Sequence, residues 1–239
     1  MSTPVSTPVT TTALDSLLVS LQLTDSAFPS GFYTLSHGLE GYVQAKQVDQ
    51  DTMPVLLEDL LRHSVGPADA TALALAHRAV GAGEWDALVE VDQRLFASKL
   101  NRELRLASTR TGRQMLDTAR LALGGAELDH YTELVVAKRT PGCQAVVAGV
   151  AYAASGVAAD QAVASDLFAF CVSFVSAGLR LRLTDHRRAQ ITLRALAPVI
   201  AEVTAEALER ELADLGGCVP VADVMSGRHE RAEARMFAS

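Results

Sequence analysis

Apolar side chains recur along this chain at the spacing of α-helices. Leu14, Leu17, Leu18 and Leu21 fall at i, i+3, i+4 and i+7, one face of a first helix. The stretch TDSAFPSGF, residues 24–32, then breaks the pattern with Pro29 and Gly31. A second helix carries Leu35, Leu39, Tyr42 and Val43. A third runs over about 52–65, and Gly66-Pro67 resets the chain into a fourth that ends at Gly81 and Gly83. Residues 85–107 predict one long helix with Leu88, Val91, Leu95, Leu100 and Leu104 inward; another reaches Leu123, and a shorter one covers about 128–138.

Two uninterrupted apolar segments follow, about 143–155 and 160–183. The second carries Leu167, Phe168, Phe170, Cys171, Phe174, Val175 and Leu179, apolar nearly all round, which predicts a helix at the centre of a bundle. A final long helix over about 188–215 is bent or split at Pro198. No stretch alternates with period two. The pattern therefore predicts an all-α, single-domain bundle of about nine to ten helices. Its expected parts are a disordered Ser/Thr/Pro leader over residues 1–12, a helical body over 13–217, and a mobile C-terminal tail over 218–239.

Composition narrows the function classes. With 49% apolar residues, a chain of 239 residues can bury a core without disulfides or a structural metal. A net charge of −7 argues against a general nucleic-acid binder. The 20-residue uncharged run from Thr140 to Ala159 is built from Ala, Gly and Ser, too weakly apolar for a membrane span. The leader has no basic residue to mark a secretion or transit signal. Three cysteines without a CxxC pair fit a reducing compartment, so the expected location is the cytoplasm.

Sites of chemistry are sparse. None of Lys46, Lys99 and Lys138 follows a glycine, so there is no phosphate loop of the Walker type. His130/Glu133 and His229/Glu233 have helical ligand spacing, but single pairs do not build a metal centre, and no catalytic, cofactor or metal residue is assigned. The segment LRLRLTDHRRAQITLR, residues 179–194, holds five arginines and one acid. It reads either as a solvated face capping helix C-termini or as a docking patch for an acidic partner.

Four segments carry a resemblance. LQLTDSAFPSGFYTLSHGLEGYVQ has Asp25, Pro29, Gly31, Phe32, Ser36, Gly38, Leu39 and Glu40 at the positions of the amino-terminal motif of the urease accessory protein UreF family. Leu95–Leu116 is similar to that family's charged helix, and Gly178–Ile200, with Gln190 and Pro198, to a third segment. The tail residues His229, Glu230, Arg235, Phe237 and Ser239 resemble its ending. The resemblance implies a non-enzymatic, homodimeric accessory protein. With UreD/UreH it would recruit the GTPase UreG to the urease apoprotein, where the nickel centre is assembled; nickel and GTP belong to that complex rather than to this chain. Expected partner contacts are Arg180, Arg187, Arg188 and Gln190 near the last long helix, Arg235 and Phe237 in the tail, and Glu40. For Glu40 the alternatives are a local cap and an exposed carboxylate facing a basic partner. A helical metal-dependent enzyme and a small-ligand-binding helical protein are the competing classes.

Overall fold

A computed structural model describes residues 13–232 and 235–237. The leader expected over 1–12 lies outside the described residues. The described chain is 74% helical, with no strand, as its periodicity predicts. The helices are α1 (Ala13–Thr24), α2 (Leu39–Gln44), α3 (Met53–Leu60), α4 (Thr71–Ala82), α5 (Trp85–Ser98) and α6 (Arg102–Ala122). They continue with α7 (Ala126–Val136), α8 (Gln144–Ala154), α9 (Ala159–Arg180), α10 (His186–Ala195), α11 (Ala197–Glu209) and α12 (Pro220–His229).

The centre is α8 with α9. Every α8 residue from Gln144 to Tyr152 is buried, and α9 buries Leu167, Phe170, Cys171, Phe174 and Val175. By length and composition α9 could cross a bilayer, but more than half of its apolar window is covered by other helices. Small residues let the layers close. A Cβ at Gly149 of α8 would lie 2.6 Å from the carbonyl oxygen of Leu73 in α4, and one at Gly112 of α6 would overlap the carbonyl oxygen of Gly142. Packing this dense leaves no room for even one methyl group.

A buried carboxylate ties α5 to the turn before α8. Asp92, fully buried, accepts hydrogen bonds from Tyr131 Oη (2.9 Å), Thr140 Oγ1 (2.5 Å), Gly142 N (2.7 Å) and Cys143 N (2.9 Å). Four donors replace the water that the charge gave up.

Two sequence expectations change here, and the direction of one predicted face is settled. The break expected at Gly66-Pro67 does not occur: a π-helical stretch, Leu61–Ala70, carries Pro67 inside it and joins α3 to α4. Its wider turn takes a residue that has no N–H to give, and the His63 carbonyl, four residues before Pro67, accepts from Cys218 N at 2.9 Å instead. Gly66 serves close packing, since a Cβ there would lie 2.6 Å from Val203 Cγ1 of α11. The long helix expected over 85–107 is two, because Asn101 caps α6 by accepting from Leu104 N at 2.8 Å; Leu100, expected inward, is 63% exposed. The leucine face of α1 also points outward. Leu14, Leu17, Leu18 and Leu21 are 62, 47, 55 and 57% exposed, while Ser16, Ser20 and Leu23 face the body. Ser16 Oγ and Ser20 Oγ hold that side to the Gly156 carbonyl and to Gln161 Nε2 of α9.

Candidate functional site

The amino-terminal loop and the carboxy-terminal segment meet. After the Pro29–Gly31 break, Gly31 and Gly38 take positive φ (81° and 84°), and this curls the loop so that α2 starts against the body. Glu40, in the first turn of α2, is only 5% exposed. Its Oε1 accepts from Met236 N at 2.8 Å and its Oε2 from Phe237 N at 3.0 Å. The exposed carboxylate expected at Glu40 is thus corrected: burial and two backbone donors from the far end of the chain occupy it.

His229, at the end of α12, is fully buried between two acids. Its Nε2 lies 2.8 Å from Glu40 Oε2 and its Nδ1 3.1 Å from Glu103 Oε2. Glu103, in the first turn of α6, also takes Arg235 Nη1 at 2.9 Å. Two carboxyl groups, an imidazole and a guanidinium therefore close a hydrogen-bonded knot across α2, α6 and residues 229–237. Phe237 is 5% exposed and lies under Arg180, whose Cζ is 4.2 Å from the Phe237 ring and 4.0 Å from the Tyr33 ring. A guanidinium stacked between two rings is held rigid. Burial lowers the Arg180 pKa, with Tyr33 acting in the opposite sense.

The tail expected over 218–239 is structured in its described part. Its residues 220–229 form α12, and Arg235 and Phe237 are packed on the body that made them. Sequence spacing gave no sign of this, because the tail lacks an apolar stripe and its partners are acids far upstream.

The other candidates lie apart. Arg187, Arg188 and Gln190 are exposed at the start of α10. Asp185 caps that helix, accepting from Arg187 N at 2.8 Å and Arg188 N at 3.0 Å. Arg188 Nη1 also reaches Asp51 at 3.4 Å. Both arginines therefore sit in the first turn, where the helix dipole disfavours cations. Capping of a helix C-terminus, the bland reading of the Arg-rich segment, describes Arg180 at the end of α9 but not these two. Gln190 edges a shallow groove with Phe168, Leu193, Arg194 and Ile200.

Among the described residues, no three of His, Cys, Asp and Glu are grouped to hold a metal ion. Burial pushes the Cys171 thiol up to about 12 and the Cys143 thiol higher still, so both are inert as nucleophiles at neutral pH.

The profile described as UreF matches residues 48–197. The urease accessory protein UreF of Rhodopseudomonas palustris (strain BisB18) is 36% identical over 215 residues, 89% of this chain and 88% of that protein. UreF of Bradyrhizobium diazoefficiens is 35% identical over 89% and 87% of the two chains. Urease accessory protein UreF 2 of Brucella abortus (strain 2308) is 29% identical over 94% and 93%.

Proposed function

Because this chain belongs to the UreF family of urease accessory proteins, we propose that it is a non-enzymatic cytoplasmic scaffold. In this reading it acts with UreD/UreH to bring the GTPase UreG to the urease apoprotein for GTP-dependent assembly of the nickel centre. Nickel and GTP are handled by the complex. The observation that carries the reading is the pair Arg187 and Arg188: two exposed guanidiniums held at the electrostatically unfavourable end of α10. Such a placement costs stability and suits an acidic partner surface.

A second docking surface is the end of the chain. Arg235 and Phe237, fastened by Glu40 and Glu103, hold Arg180 and the 57%-exposed Tyr33 in one fixed arrangement. Arg and Tyr are frequent interface anchors, and a preformed anchor binds without an ordering cost. We assign this face to UreD/UreH and the α10 arginines to UreG.

The outward leucines of α1 suit a second copy of this chain. The face has no basic residue and one acid, Asp15, so two copies meet with little repulsion. Half-exposed Phe168 extends it, seven residues beyond Gln161 and so on the same side of α9. Contiguous exposed apolar side chains of this kind mark interaction surfaces. A dimer is expected by light scattering, and Leu17→Arg with Leu21→Arg is expected to give a monomer.

Co-elution tests the whole reading. The purified chain should form a complex with UreD/UreH that retains UreG, and it should hydrolyse no GTP alone. Failure to retain UreG, or GTP turnover that follows this chain through purification, overturns it.

A further inference from the structure

The outer side of α6 is an arginine stripe. Arg102, Leu106, Arg110, Arg113, Arg120 and Leu121 recur at helical spacing and all are exposed, Leu106 at 55% and Leu121 at 82%. At 1.5 Å per residue the stripe runs about 27 Å along the helix. Asp117 is the acid that lies on it. The opposite side of α6, with Ala107, Thr111, Met115 and Ala119, is buried in the body. In a chain of net charge −7, four arginines against one acid make this face a local reversal of sign.

The helix itself gains little from the arrangement. Arg102 stands in the first turn, where the helix dipole disfavours a cation, and Arg110 and Arg113 are like charges at i, i+3. Arg110 Nη2 gives one bond, to Thr34 Oγ1 at 3.3 Å, and Arg120 makes one ion pair, with Asp129 at 3.6 Å. Arg102 and Arg113 have no hydrogen bond or ion pair among the described residues. Guanidiniums so placed keep their forks open for bidentate carboxylate contacts.

The stripe selects the kind of partner. Single-stranded nucleic acid would call for aromatic platforms, and α6 carries no Phe, Tyr or Trp; phosphate backbones are also repelled by the net negative remainder of the chain. A bilayer would call for an apolar helix face to insert, and that of α6 is already buried. Carboxylates with apolar side chains among them, on a helix of about five turns, complement both the guanidiniums and the two leucines. We propose that the outer face of α6 docks an acidic helical segment of a partner protein, its carboxylates on Arg102, Arg110 and Arg113 and its apolar side chains on Leu106 and Leu121. This surface is separate from the α10 arginines, and the inference is independent of the scaffold reading.

The test uses the full chain and a fluorescein-labelled synthetic peptide, three repeats of Leu-Ala-Gln-Glu-Glu-Ala-Ala, which puts Leu and Glu on one helix face. A control peptide has the same composition in an order that spreads Leu and Glu around the helix. By fluorescence anisotropy the ordered peptide should bind saturably, and more weakly as salt is raised. Arg110→Gln with Arg113→Gln should weaken it roughly tenfold or more, and Leu106→Ser with Leu121→Ser roughly threefold or more at unchanged charge. Arg187→Gln with Arg188→Gln on α10 should leave it unchanged. Far-UV spectra report the fold of each variant; should one α6 pair fail to fold, the other still decides. No saturable binding of the ordered peptide, equal binding of the control peptide or of polyuridylate, or an affinity untouched by a folded α6 variant would each overturn the proposal.

Discussion

Glu40 and Phe237 stand 197 positions apart in the chain, yet the Glu40 carboxylate accepts the Phe237 backbone N–H at 3.0 Å. Three further donors converge on the same side of the molecule: Met236 N, His229 and, through Glu103, Arg235. Removing one member leaves the others buried without their counter-charge, which commonly costs about 3–5 kcal/mol. Glu40→Ala should therefore free the end of the chain. Trypsin is expected to cut at Arg228 and Arg231 in the variant well before it cuts the body, whereas the parent is cut at similar rates throughout. Equal protection of these sites in both proteins would count against the arrangement.

Asp92 makes a different prediction. Its four donors are buried with it, and each donor left without an acceptor costs about 1–3 kcal/mol. Asp92→Ala is expected to lower unfolding stability by about 4 kcal/mol, measured by urea titration, with helix content retained in the absence of urea. A loss below about 1 kcal/mol would show that the turn before α8 relaxes without it.

Asp166 predicts a pH dependence. Burial, aided by Asp69 and opposed by the Gln144 bond, raises its carboxyl from 3.8 to about 6. The folded chain then binds a proton that the unfolded chain has lost, so this group's stabilising contribution is full below about pH 4 and is lost as pH rises through 6. Asp166→Asn keeps an acceptor for Gln144 and carries no charge. It should gain about 2 kcal/mol of stability at pH 8 and almost nothing at pH 4. The difference between parallel urea titrations at the two pH values reads this directly.

Arg187 and Arg188 predict a separation of stability from binding. The ion-pair partners of Arg188, Asp51 and Asp185, are exposed, and pairs of that kind contribute about 0–1 kcal/mol. Arg187→Glu with Arg188→Glu should leave the thermal melt nearly unchanged and weaken UreG retention by roughly tenfold or more. A collapsed melt would make these residues structural.

What the sequence made legible follows physical reach. The all-round apolar residues Leu167, Phe170 and Phe174 announce a central helix, because burial on every side leaves a one-dimensional trace. The split at Pro198 follows from a missing N–H. Gly66-Pro67 misled because proline's local effect was absorbed by a wider turn, and because Gly66 answers to Val203, a contact 137 positions away. The α1 leucines gave the correct helix and face, but periodicity does not say which side meets solvent. The least legible element was the cluster at Glu40. Acids and a histidine at 40, 103 and 229 look like solvated charges until the fold brings them together, and nothing in their spacing joins one to another.

A ribosome delivers this chain from its amino terminus, so α2 and α6 exist well before His229 is made. During that interval Glu40 and Glu103 lack the hydrogen-bond partners that bury them in the finished fold. The last step of native folding is therefore postponed until synthesis has passed Phe237. A nascent or prematurely ended chain can hold its α8–α9 core yet lack the finished surface beside Tyr33 and Arg180. Synthesis past Phe237 is in this sense written into the shape that a partner would meet.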